Sequence, residues 1–131
     1  MNPLFNEVEN PALKRLLFQS EEEAPQNIAD YAVQHHDPMA MRALDLFIRI
    51  YGAVVGNLAL TILPFAGLYI VGGIAPKLLP QLLDGRFLTA LSDKGRMSAL
   101  LASIPIYIVL NTHVGLQGAA NYGFHTACKH K

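Results

Sequence analysis

The sequence predicts an α/β chain in which a long helix, short parallel strands and flanking helices share one core. Three observations predict it. Apolar residues recur at helical spacing from Asp37-Pro38 to about Leu63. Two β-branched and aromatic runs, Gly67-Leu68-Tyr69-Ile70-Val71 and Ile104-Pro105-Ile106-Tyr107-Ile108-Val109-Leu110, read as strands. Short amphipathic turns fill the interval between them, and the order helix, strand, helices, strand, helix suits a parallel pair.

The elements follow in order. Asn10-Pro11 supplies an N-cap and a first helical residue, with Leu13, Leu16 and Leu17 on one apolar face. Glu21-Glu22-Glu23 before Ala24-Pro25 reads as an exposed connection or a helix start favoured by negative charge. Ile28, Tyr31 and Ala32 form a second stripe that ends near His35-His36. Adjacent histidines point to different sides of a helix, so they make a poor metal pair and read as solvated or capping residues.

Asp37-Pro38 starts the long helix, in which Ala40, Leu44, Phe47, Ile48, Tyr51, Val55, Leu58 and Ile62 keep helical spacing. Arg42, Asp45 and Arg49 mark a wet stripe along its first half only. Beyond Arg49 the charges stop, which predicts full burial. A rise of about 1.5 Å per residue makes the helix close to 40 Å long, and such a helix is expected to pack across a sheet.

The first strand ends at Gly72-Gly73, and Pro76 stands in the first turn of the helix that follows. Two glycines permit positive φ and remove every Cβ, so a backbone or a flat ligand can approach closely. Strand, glycine pair and helix start together describe a nucleotide-sized niche at the carboxyl end of a strand; an ordinary tight turn is the other reading. Lys77 to Leu83 reads as a short helix closed by Asp84-Gly85. Phe87, Leu88 and Leu91 form another amphipathic turn, and Met97 to Leu101 a further one. Pro105 sits near the start of its strand, where a missing donor is tolerated. After a loop at Asn111 to Val114, Gly115-Leu116-Gln117-Gly118-Ala119-Ala120 opens a final helix whose small residues allow close packing. A two-strand sheet is marginal alone, so the chain reads as part of a larger α/β layer.

Composition narrows the function classes. The 131 residues suit one domain, and ten basic against ten acidic residues leave no electrostatic footprint for nucleic acid. Cys128 is the single cysteine, which excludes an internal disulfide and fits a reducing cytoplasm. The uncharged stretch from Ile50 to Pro76 is long enough for a membrane helix. Its glycines, the interruption at Pro64 and the lack of Trp argue instead for a buried helix followed by a strand, with no membrane partner. The N-terminal residues lack the basic and apolar regions of a signal peptide.

Several segments then follow one another in a meaningful order: Tyr51-Gly52, Gly56-Asn57-Leu58-Ala59-Leu60, Leu68 to Lys77, Asp93-Lys94-Gly95-Arg96, Ile104-Pro105-Ile106 and Gly115 to Ala120. The series resembles the C-terminal portion of bacterial glucokinases, members of the superfamily that includes hexokinase and actin. The likeness runs from roughly Ala40 to Ala120; residues 1–36 form a poorly matching helical segment and 37–131 the lobe that resembles the family.

The resemblance implies the C-terminal part of an actin-like ATPase lobe. It assigns Gly72, Gly73, Ile74 and Ala75 to nucleotide binding through the adenosine motif. Gly115, Gly118 and Ala119 fall on the connecting helix at the interlobe hinge. Asn57 reads as a polar contact behind the nucleotide pocket or as a buried amide. The parent enzyme would use ATP and Mg²⁺ to phosphorylate glucose at its 6-hydroxyl in the cytoplasm.

The family's Asp-x-Gly-Gly-Thr phosphate loop, Asn-Asp base pair and Glu-x-Gly-His sugar group are not in these 131 residues. No catalytic residue and no metal ligand is therefore assigned. Gln117 and Met97 replace residues that are commonly apolar and Phe in the family. The expectation is an inactive nucleotide-side piece that self-associates as a homo-oligomer through exposed apolar faces, with a non-catalytic regulator or scaffold lobe as the alternative.

Overall fold

The computed structural model describes residues 11, 12, 15 and 24–129. The stripe at Leu13, Leu16 and Leu17, the Glu21–Glu23 run and the terminal His130-Lys131 lie outside them.

Helix α1 spans Ala24–His35 and stops at His36, whose φ of 51° no helix continues. Asp37 then caps helix α2, Pro38–Ile62: its carboxylate accepts from the amides of Met39 and Ala40 at 3.0 Å each. Pro38 at the first position lacks only a donor that would be unsatisfied anyway. At the far end Leu63 turns left-handed at φ 48°, and its amide donates to the Ala59 carbonyl. Pro64 follows, so the expected helix and its ends hold.

Strands β1, Leu68–Ile70, and β2, Ile106–Ile108, pair in parallel, with Leu68 opposite Ile106 and Ile70 opposite Ile108. The ladder extends one bond each way, from the Leu68 amide to the Pro105 carbonyl and from the Val109 amide to the Ile70 carbonyl, 2.9 Å each. Both strands are shorter than the apolar runs that encode them. Tyr69 and Tyr107 stack on the open face at 4.9 Å between ring centroids, so β1 is half-buried rather than buried.

Between the strands lie α3, Ile74–Lys77; α4, Leu79–Leu83; α5, Arg86–Ser92; a 3₁₀ turn, Gly95–Met97; and α6, Ser98–Ala102. The single short helix expected at Lys77–Leu83 is two, divided at Leu78. Pro80 has no N–H to offer the Pro76 carbonyl, so the ladder breaks there. Helix α7, Val114–Lys129, closes the described chain. Asn111 shapes its approach, accepting from the His113 amide and donating to the Gln117 side chain, both at 2.9 Å.

The core joins Ala40, Leu44, Ile48, Val55 and Ala59 of α2 to Leu82, Phe87, Leu91 and Leu101, with Leu68, Ile70 and Ile104 closing the strand side. Two expectations about α2 fail. It was expected to cross a sheet, but its most extensive contact is with α5, because two three-residue strands are too narrow to carry so long a helix. It was expected to be buried after Arg49, yet Ile50, Val54, Leu58 and Ile62 are more than half or about half exposed. Among the described residues, the buried stripe is the one that meets α1 and α5.

Gly52 and Gly56 make that seam possible. A Cβ at Gly52 would collide with the Phe87 carbonyl oxygen, and one at Gly56 with that of Leu91. The Lys94 stem lies over Gly56, and its ammonium reaches the Ala53 carbonyl at 3.1 Å. The glycines read as helix breakers in the sequence are close-approach positions inside an unbroken helix. Among the described residues α2 is the helix long and apolar enough to cross a membrane, and a third of its most apolar window is buried in this fold.

Candidate functional site

The turn after β1 positions the site. Gly72 takes φ 113°, a conformation side chains strain against, and Gly73 returns to φ −77° as the residue before α3. No atom comes within 4 Å of where a Cβ would stand on either glycine, so both present bare backbone. Helix α3 has only four residues, too short for a sizeable macrodipole. Any anion affinity here would come from side chains and not from the helix end.

A cleft of about 480 Å³ opens beside this turn. Three elements wall it: Ile28 and Asp30 of α1, Leu44 and Phe47 of α2, and Gly73, Ile74 and Lys77 of the turn and α3. The size suits a small-molecule ligand, and the lining is apolar apart from Asp30 and Lys77. Of the residues assigned to nucleotide binding, Gly73 and Ile74 line the cleft. Gly72 stands exposed next to it, and Ala75 is turned into the core, fixing α3 in place. Gly115, Gly118 and Ala119 lie apart from the cleft on the exposed face of α7, and neither glycine has an atom within 4 Å of its Cβ position.

Asn57 is exposed, which removes the buried-amide reading; its carbonyl accepts from the Thr61 hydroxyl at 2.9 Å. Tyr31 and His35 rings meet at 4.3 Å, and His36 is exposed at the helix end, so the two histidines diverge. Among the described residues no group of three or more His, Cys, Asp or Glu could hold a metal ion.

Most of the aspartates serve the framework. Asp37 caps α2. Asp45 accepts from Arg49 at 2.7 Å and from Arg86 at 2.9 Å, and Arg86 also holds Asp84 at 2.5 Å. These arginine hydrogen bonds, first from Arg49 and then from Arg86, hold the Asp45 carboxyl below the usual carboxylate range; Arg86 does the same for Asp84. The pair of carboxylates in turn raises the Arg86 guanidinium, Asp84 contributing most. Tyr51, edge-on to Phe87 at 5.5 Å, is pushed up by burial. Asp30 differs from all of these because it faces the cleft. Sequence reasoning missed Asp30 and Phe47 as wall residues, since no local pattern reveals which helix will stand opposite a turn.

Fold and cleft define the class: an α/β chain with a cleft of small-molecule size beside the turn that follows a parallel strand. A family model described as Glucokinase matches residues 6–126. The chain belongs to the glucokinase family. It is 57% identical over 93 residues to a glucokinase of Nostoc sp., covering 71% of this chain and 27% of that protein. A glucokinase of Nostoc punctiforme is 46% identical over 121 residues, covering 86% of this chain and 36% of that protein. One of Synechocystis sp. is 50% identical over 93 residues, covering 71% of this chain and 26% of its own length. The chain therefore spans about a third or less of the curated relatives it matches.

Proposed function

We propose that this chain is the C-terminal, nucleotide-side part of an actin-like kinase lobe, whose parent enzyme transfers the γ-phosphoryl group of ATP to the 6-hydroxyl of glucose. The observation that carries the reading is the bare backbone of Gly72-Gly73 opening beside a cleft that Gly73 and Ile74 line. Membership of the glucokinase family supports the substrates. In this reading residues 37–131 form the lobe, Gly72, Gly73 and Ile74 accept the nucleoside, and Ala75 holds their helix to the core. Gly115, Gly118 and Ala119 offer a small-residue face to the rest of the enzyme at the hinge. Phosphoryl transfer depends on positioning and charge neutralisation, and Mg²⁺ enters such sites on the nucleotide's own phosphates. Among the described residues no group of three or more His, Cys, Asp or Glu makes a cage for the ion.

Alone, the 131 residues bind ATP weakly or not at all and turn over no glucose, because the opposing surface is missing. They self-associate through the apolar faces of α2 and α7, and they work in the cytoplasm. A coupled assay of glucose 6-phosphate formation tests the assignment: turnover by the chain alone overturns the claim that its catalytic groups lie elsewhere.

A further inference from the structure

We propose that Asp30 and Phe47 form a purine-selecting wall of the cleft, with the Asp30 carboxylate accepting from the exocyclic 6-amino group of adenine. The inference rests on the nucleotide reading above but assigns roles to residues of α1 and α2 outside the glycine turn. Three features point there.

The cleft is shared by three elements, and the bare Gly73 backbone on one side leaves a slot of ligand size against the α1 and α2 side chains. Phe47 is 41% exposed while its ring lies 5.8 Å from that of Tyr51, tilted by 32°. One side of the ring is thus supported by the framework, and the remainder offers a π surface on which a base can stack.

Asp30 is the acidic member of an otherwise apolar lining, with Lys77 bringing the opposite charge. An ionised carboxylate only accepts hydrogen bonds. Adenine presents a donor at its 6-position and inosine a carbonyl acceptor, so the same wall attracts the first and repels the second. A site built to pair with an N–H discriminates strongly against an analogue without it.

The test is equilibrium dialysis of the 131-residue chain against ATP and inosine triphosphate, with Asp30→Asn, Asp30→Lys, Phe47→Ala and Gly73→Val in parallel. Asp30 and Phe47 are both exposed, and far-UV circular dichroism checks that each variant keeps its helices. The expected wild-type preference for ATP is about tenfold, in the range of one charge-assisted hydrogen bond. Asp30→Asn brings the ratio near one, because an amide can turn either its donor or its acceptor to the base. Asp30→Lys inverts the ratio, and Phe47→Ala weakens both nucleotides alike. An unchanged ratio in the Asp30 variants overturns this inference, while ATP binding that Gly73→Val abolishes keeps the nucleotide site. Failure of the wild-type chain to bind either nucleotide overturns this inference and leaves the reading of the parent enzyme standing.

Discussion

Helix α2 has two long apolar faces with opposite fates. One carries Ala40, Leu44, Ile48, Gly52, Val55, Gly56 and Ala59, all buried against α1, α5 and the core. The other carries Leu46, Ile50, Val54, Leu58 and Ile62, spaced by four and each at least half exposed. The exposed face is the more bulky and apolar of the two, yet it is the face rich in small residues that found a partner. Close approach explains this. Glycines at 52 and 56 let the α5 backbone reach that of α2, and the dispersion and area gained there do not depend on large side chains. Hydrophobicity alone does not bury a face; a complementary surface does. Helix α7 belongs with the open face, since Leu116, Tyr122 and Phe124 are each about 70% exposed or more.

The largest break in this contrast comes from the seam. Phe87, 1% exposed, packs edge-on to Tyr51, so Phe87→Ala should cost about 3–5 kcal/mol by transfer loss and cavity formation. Urea denaturation followed by circular dichroism measures it; a loss below 1 kcal/mol would contradict the core described here. Next come Gly52→Val and Gly56→Val, whose side chains meet backbone oxygens that cannot move aside. Each should destabilise by about 3 kcal/mol, and the two should be strongly non-additive because they open the same seam.

On the open face, Ile50→Lys with Val54→Lys should shift monomer stability by no more than about 0.5 kcal/mol. The same pair should lower self-association, read as a fall in weight-average mass by sedimentation. If the double variant unfolds instead, the face is covered in solution by something that sedimentation of the wild type will reveal.

The remaining effect is electrostatic. Asp45 and Asp84 have folded-state values below their ordinary 3.8. A lowered carboxyl contributes stability that is full above the unfolded value and is lost as pH falls through the folded one. Stability should therefore decline below about pH 4, and Asp45→Asn should flatten that decline. At pH 7 the same variant should lose less than about 1 kcal/mol, since the group is a third exposed and screened.

Much of the fold was legible from local signals. The Asp37-Pro38 start and Leu63-Pro64 stop of α2 are chemistry of a few adjacent residues: a capping carboxylate, a proline without a donor, a left-handed terminus. The strand runs and the glycine turn were readable for the same reason, and the order of elements along the chain pointed to the parallel pairing. The cleft was half legible. Gly73 was marked by the turn and Ile74 by the family resemblance, but Asp30 and Phe47 look like any exposed acid and any helix aromatic until α1 and α2 are placed against the turn. The Gly52/Gly56 spacing was present in the sequence as a small-residue repeat and could have signalled the seam.

The residues by themselves determined both ends of α2, the α/β class, and the family, because caps, turns and ordered motifs act over a few neighbours. Only the tertiary structure decided which face of α2 is buried, that α5 and not a sheet is its principal partner, and that α1 supplies a wall to the cleft. Those outcomes depend on contacts between residues distant in the chain, as between Asp45 and Arg86, 41 positions apart. No periodicity in one segment can encode the surface of another.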